Sequence, residues 1–155
     1  MNLDVKNRII KAFIELVASV PAVVSIAGTR IYKSGDASHK AEYPSVTVDV
    51  PSCFPFDARQ GWYRATVNLV SNVHAMDDKP LDVRDQLQGL LVGIVQNGRI
   101  ELDLNATATA RTDATALTVV EAEMVDLFEE DEGNVRSAGV SVYVTARPST
   151  GKNKG

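Results

Sequence analysis

Side chains able to move protons or attack a carbon centre near neutral pH are scarce in this sequence: two histidines, His39 and His74, and one cysteine, Cys53. Catalysis needs such groups held together with tuned proton affinity, so their spacing is the first test. His39 falls in a polar loop and His74 between a strand and a helix. Neither belongs to a His-Glu-x-x-His pair that would set two ligands on one helical face, and both read as surface histidines. His74, Asp77 and Asp78 offer three possible ligands to a divalent ion, but a strand-to-helix connection uses the same residue types for capping and turn formation. Cys53 sits among prolines and phenylalanines with no histidine near it in sequence, and reads as a small apolar residue of a contact loop rather than a nucleophile. A phosphate-cradling glycine loop, a Gly-x-Ser-x-Gly elbow and a dinucleotide fingerprint are all missing. The acidic run Glu129, Glu130, Asp131, Glu132 lacks the alternating ligands of an EF-hand loop and reads as a solvated hairpin end. No catalytic residue, cofactor or metal is expected.

The elements that would position any site follow from periodicity. From Leu3 to Val20, Val5, Ile9, Phe13, Leu16, Val17 and Val20 line one side of a helix closed by Pro21. A short apolar connection and Gly28 lead to the β-rich Arg30-Ile31-Tyr32, then to a polar loop from Lys33 to Glu42. Ser45 to Val50 and Trp62 to Val70 alternate apolar with polar, so each predicts a strand with one wet face. Between them Pro51 to Gly61 is too long for a tight hairpin and is expected to project as an arm. A second helix is expected from Asp78-Lys79-Pro80 to Asn97-Gly98, with Val83, Leu87, Leu90, Leu91 and Ile94 apolar; Gly89 and Gly93 would let it pack closely on a sheet. Arg99 to Leu104 alternates again, and Asn105 to Thr115 reads as a loop. Ala116 to Phe128 and Ser137 to Ala146 are strands joined through Glu129 to Asn134, and 148–155 reads as a flexible polar tail. Helices and strands without repeated βαβ units predict an α+β fold over 1–147: a mainly antiparallel sheet with two helices packed on one face and extended hairpin or loop arms.

At 155 residues, 45% hydrophobic and 23% charged, the chain has room for one core and the composition to fold. A net charge of -4 without a basic stripe argues against a general nucleic-acid clamp. One cysteine rules out an internal disulfide or a multi-thiolate zinc site and points to a reducing cytoplasm. No secretion-signal pattern opens the chain and no apolar run reaches the roughly 18 residues of a bilayer span, so neither export nor membrane insertion is expected. What the sequence displays is contact surface: long connections, and in the Pro51–Gly61 arm Phe54, Phe56 and Arg59, with Pro55 restricting the chain between the two aromatics.

The order of elements resembles the tail terminator, or tail-completion, proteins of long-tailed bacteriophages over nearly the whole chain. The likeness is carried by the N-terminal amphipathic helix, Gly28-Thr29-Arg30-Ile31-Tyr32, the Tyr43-Pro44 that opens a strand, the helix with Leu90 and Leu91, and the acidic hairpin Asp126 to Asn134 before Val140 to Val144. The resemblance implies a structural virion protein rather than an enzyme, made in the host cytoplasm and placed at the head-proximal end of the tail. There it would form a homohexameric ring on the last ring of tail-tube protein, halt polymerisation, and meet the head connector and neck proteins, and in contractile tails the sheath. DNA would pass through the bore without specific binding. The chain's own residues add two expectations: some of Glu101, Asp103 and Glu129 to Glu132 face the bore, and Phe54, Phe56 and Arg59 of the arm contact a partner, the alternative being that both aromatic rings fold back over the sheet as a minor cluster. The Pro51–Gly61 arm and the Asn105–Thr115 loop depart from the shorter family members. Two other readings compete: a head-tail adaptor or tube subunit, and a small hydrolase or ligand-binding module centred on His74 or Cys53.

Overall fold

The computed structural model describes residues 3–34, 42–55, 62–95, 102–103 and 117–148. Its elements run α1 (Leu3–Ala18), α2 (Pro21–Ala27), β1 (Ile31–Lys33), β2 (Ser45–Pro55), β3 (Tyr63–His74), α3 (Pro80–Val95), β4 (Leu102–Asp103), β5 (Leu117–Glu132) and β6 (Val135–Pro148). The fold is α+β: the described residues form one six-stranded sheet, ordered β1-β2-β3-β6-β5-β4, with α1, α2 and α3 contributing to a core on one of its faces. Every pairing is antiparallel except β1 with β2, which is parallel.

Alternation assigns the two faces. Val46, Val48 and Val50 of β2, Ala65, Val67 and Leu69 of β3, and Val140, Val142 and Val144 of β6 are all buried on the helix side. There they meet Val5, Ile9, Phe13 and Val17 of α1, Val23 and Ala27 of α2, and Leu87, Leu91 and Val95 of α3. Val5, Ile9, Phe13 and Val17 recur at four-residue spacing, which is one stripe of a helix. The Ser19 hydroxyl closes α1 by donating to the Leu16 carbonyl at 2.6 Å.

Several expectations need correction. The connection after Pro21 is itself a helix: Pro21 occupies the first turn, where its missing N–H costs nothing, and Gly28 ends the helix at φ +60 with its N–H on the Val24 carbonyl. Among the described residues there are therefore three helices, not two. The first half of the expected Pro51 arm is strand, because β2 runs to Pro55 and pairs across from Tyr63. Its register shifts between Asp49 and Ser52, so Pro51 sits where the ladder is interrupted and its lack of an N–H is tolerated. The acidic run is strand too; the turn shrinks to Gly133-Asn134, with Gly133 at φ +59 in the conformation that only glycine adopts freely. Pro148 belongs to β6 rather than to the tail. In α3 the expected Leu87 and Leu91 are fully buried and Val83, Leu90 and Ile94 are partly buried against the core; Arg84 and Val95 are buried in addition. Gly89 and Gly93 face open space, so they do not serve close packing. The loop 105–115 and the tail 149–155 lie outside the described residues.

Among the described residues no single helix is long and apolar enough to cross a membrane; α1 and α2 together have the length but meet at 91°.

Candidate functional site

With the helices gathered on one side, the other side of the sheet carries the polar members of each alternation. Cross-strand pairs Thr47 with Val70, Asp49 with Asn68, Asn68 with Ser141 and Asn72 with Ser137 put amides, hydroxyls and a carboxylate on this face. They bond to one another across three strands. Asn72 Nδ2 donates to Thr47 Oγ1 at 3.2 Å, and Ser137 Oγ donates to Asn72 Oδ1 at 2.7 Å. Ser141 Oγ donates to Asn68 Oδ1 at 2.7 Å. Such a ladder fixes strand register while leaving a wettable surface. At its centre a broad concavity of about 460 Å³ has only acidic side chains, Asp49, Glu130 and Glu132, among its charged lining.

The segments that carried the family likeness meet beside this face. Arg30 Nε donates to the Pro44 carbonyl at 2.7 Å, and Val46 N–H donates to the Arg30 carbonyl at 2.9 Å. Gly28-Thr-Arg-Ile-Tyr and Tyr43-Pro44 thus form one structural joint that starts both β1 and β2.

The acidic strand divides by register. Glu130 and Glu132 lie across from Ser137 and Val135 on the helix-free face, whereas Glu129 and Asp131 lie across from Ala138 and Arg136 on the helix side. Glu129 Oε2 is 3.6 Å from Arg84 Nη2, so this nearly buried arginine ties the start of α3 to β5. Asp103 pairs through its backbone with Thr118, and Glu101 lies outside the described residues. Of the expected contact residues, Phe54 is 45% exposed across from Arg64 on the helix-free face. Phe56 and Arg59, like His39, lie outside the described residues. Leu127, half exposed and flanked by carboxylates, was not singled out from the sequence; an isolated leucine within an acidic run was the available signal.

His74 ends β3 rather than lying in a connection. Its Nδ1 accepts the Met76 N–H at 3.1 Å, and its own N–H donates to Asp77 Oδ2 at 3.1 Å. These residues are occupied in closing a turn, and no group of three or more His, Cys, Asp or Glu side chains among the described residues could hold a metal ion. Cys53 lies in β2 opposite Ala65, half-buried beside Lys6 and Tyr63. Burial pushes its thiol above the ordinary value, with the Lys6 charge pulling weakly the other way. Because the thiolate is the nucleophile, alkylation of native Cys53 at pH 8 should be slower than in the urea-unfolded chain, with its pH-rate profile displaced to higher pH. Equal rates in both states would contradict that placement.

No protein-family model matches the chain, and no curated protein sequence matches it.

Proposed function

We propose that the chain is a ring-forming structural subunit of the tail-terminator type, which caps the tail tube of a long-tailed phage and offers its other face to the head connector. The observation that carries the reading is the division of the sheet: among the described residues three helices cover one face, and the other is a largely polar, acid-bearing surface without a helix on it. In the proposed ring the helix-free face lines the bore and the helices form the outer wall. Asp49, Glu130 and Glu132 then repel passing phosphates, an effect screened over roughly 8 Å at physiological salt and therefore confined to charges at the channel wall. The hydroxyl and amide ladder hydrogen-bonds within itself and holds the wall rigid. Phe54, at the far end of β2 from the Arg30–Pro44 joint, is the proposed contact for tube or neck protein, since an exposed aromatic between Cys53 and Pro55 binds with little loss of chain freedom.

The test is capping. Added to polymerising tube protein, the chain should give shorter tubes with extra density at one end, as seen by negative-stain microscopy. Tube lengths unchanged by a molar excess, with no density at either end, would sink the reading. Growth of long tubes from the chain alone would transfer it to the tube subunits.

A further inference from the structure

We infer that the subunit interface of the ring is the meeting of the sheet's two opposite edges, with the β5 edge of one copy seated in a groove between α1 and β1 of the next. This rests on the ring reading and names the surfaces that would build it. The groove encloses about 480 Å³, with Ile10, Ile14 and Ile31 apolar and Lys11 and Lys33 charged. It has no acidic lining residue, and β1 has no strand on its outer side among the described residues.

The other edge has the reciprocal character. Among the described residues, β5 has an outer partner only at Thr118 and Val119, which leaves the length from Glu121 to Glu132 without one. Leu127 is half exposed there, with Asp126 before it and Glu129 and Asp131 following, all exposed. Register matches the two edges in depth: Leu127 is opposite the helix-side Val140, and Ile31 is opposite the helix-side Val46. Sheets set edge to edge with their helix sides aligned therefore bring Leu127 over the groove's isoleucines and Asp131 toward Lys11 and Lys33, while Asp126, across from Ser141, adds its charge from the other face of the same edge.

Charged edges normally keep sheets apart. Here the charges have opposite sign on the two edges, so β5 repels another β5 and β1 repels another β1, while β5 attracts β1. A contact between two different patches is head-to-tail, and it closes into a ring when the rotation between copies allows. Like-edge pairing, which would stop at a dimer, is disfavoured.

Charge reversal separates this interface from others. Lys11→Glu with Lys33→Glu makes the groove acidic as well; Asp126→Lys with Asp131→Lys places basic side chains on both sides of Leu127 and leaves the Glu129–Arg84 contact untouched. Each double variant of the full chain should lose the ring at concentrations where the parent forms it, by light scattering with mass determination. Mixing the two should restore rings of alternating subunits, and all four changes in one chain should restore rings alone. Leu127→Ser should weaken the ring with circular dichroism unchanged. Rings from either double variant, or a loss that neither mixing nor the fourfold variant repairs, would overturn the edge contact while the ring reading stands on the parent's behaviour. A parent that never assembles, alone or with tube protein, would remove both.

Discussion

Truncating Phe13 to alanine should destabilise the chain by about 3–5 kcal/mol, the usual cost of deleting a buried aromatic and leaving its cavity. Phe13 is fully buried, and it lies in the core cluster with Val46 and Val48 of β2 and Val23 of α2. It belongs to the stripe that docks α1 on the sheet, so its loss weakens the element that forms one wall of the proposed groove. Domains of this size have stabilities of roughly 5–15 kcal/mol, so the change consumes a large share. Urea unfolding at a concentration below assembly should show the midpoint falling with an unchanged slope. A loss under about 1 kcal/mol would mean that α1 is not seated as described.

Gly139→Val should come next in size, at about 1–3 kcal/mol or somewhat more, through overpacking rather than a cavity. A Cβ at Gly139 would lie 2.6 Å from Phe128 Cζ and 2.8 Å from the Leu69 carbonyl oxygen. The phenyl ring can swing aside; the backbone oxygen belongs to a central strand and cannot. Gly139→Ala should therefore remain destabilising even beside Phe128→Ala, despite the entropy that glycine loses on folding, about 0.5–1 kcal/mol relative to alanine. Full recovery of the alanine variant by the second change would show that the ring alone excludes a side chain. The arrangement also explains why Phe128 is half-buried on this largely polar face: its ring lies on the bare backbone of Gly139.

Periodicity made most of the architecture legible. The four-residue recurrence of Val5, Ile9, Phe13 and Val17 marks α1, and the alternations through Val46–Val50 and Ala65–Leu69 mark β2 and β3 with the correct wet faces. Short or interrupted elements were not legible. In α2 the run Val20-Pro21-Ala22-Val23-Val24 reads as a short apolar connection, yet proline at the start and Gly28 at the end are the signals of a helix. Pro51 to Gly61 suggests a projecting arm because it is too long for a tight hairpin and holds two prolines; the register shift lets Pro51 stay within β2. The charges of Glu129 to Glu132 suggested a turn, but carboxylates are as well solvated from an exposed strand as from a loop. The parallel pairing of β1 with β2 depends on a crossover and has no local signature.

The candidate surface was legible as composition and not as geometry. Acidic residues before the last strand were visible, but only register separates Glu130 and Glu132 from Glu129 and Asp131. Nothing in the sequence around Arg84 signals burial, yet it is buried in α3 with its Nε 3.0 Å from Asp85 Oδ1. The link between Arg30 and Pro44 joins residues 14 apart and appears only once β1 lies beside β2.

The central claim is that this chain closes into a ring, and the mass of the purified protein as a function of concentration tests it most directly. A closed hexamer predicts conversion of monomer into one species of six times the chain mass, which grows no further as concentration rises, because every edge is then occupied. A monomer at every concentration, with or without tube protein, or a mass that climbs without limit, would contradict it.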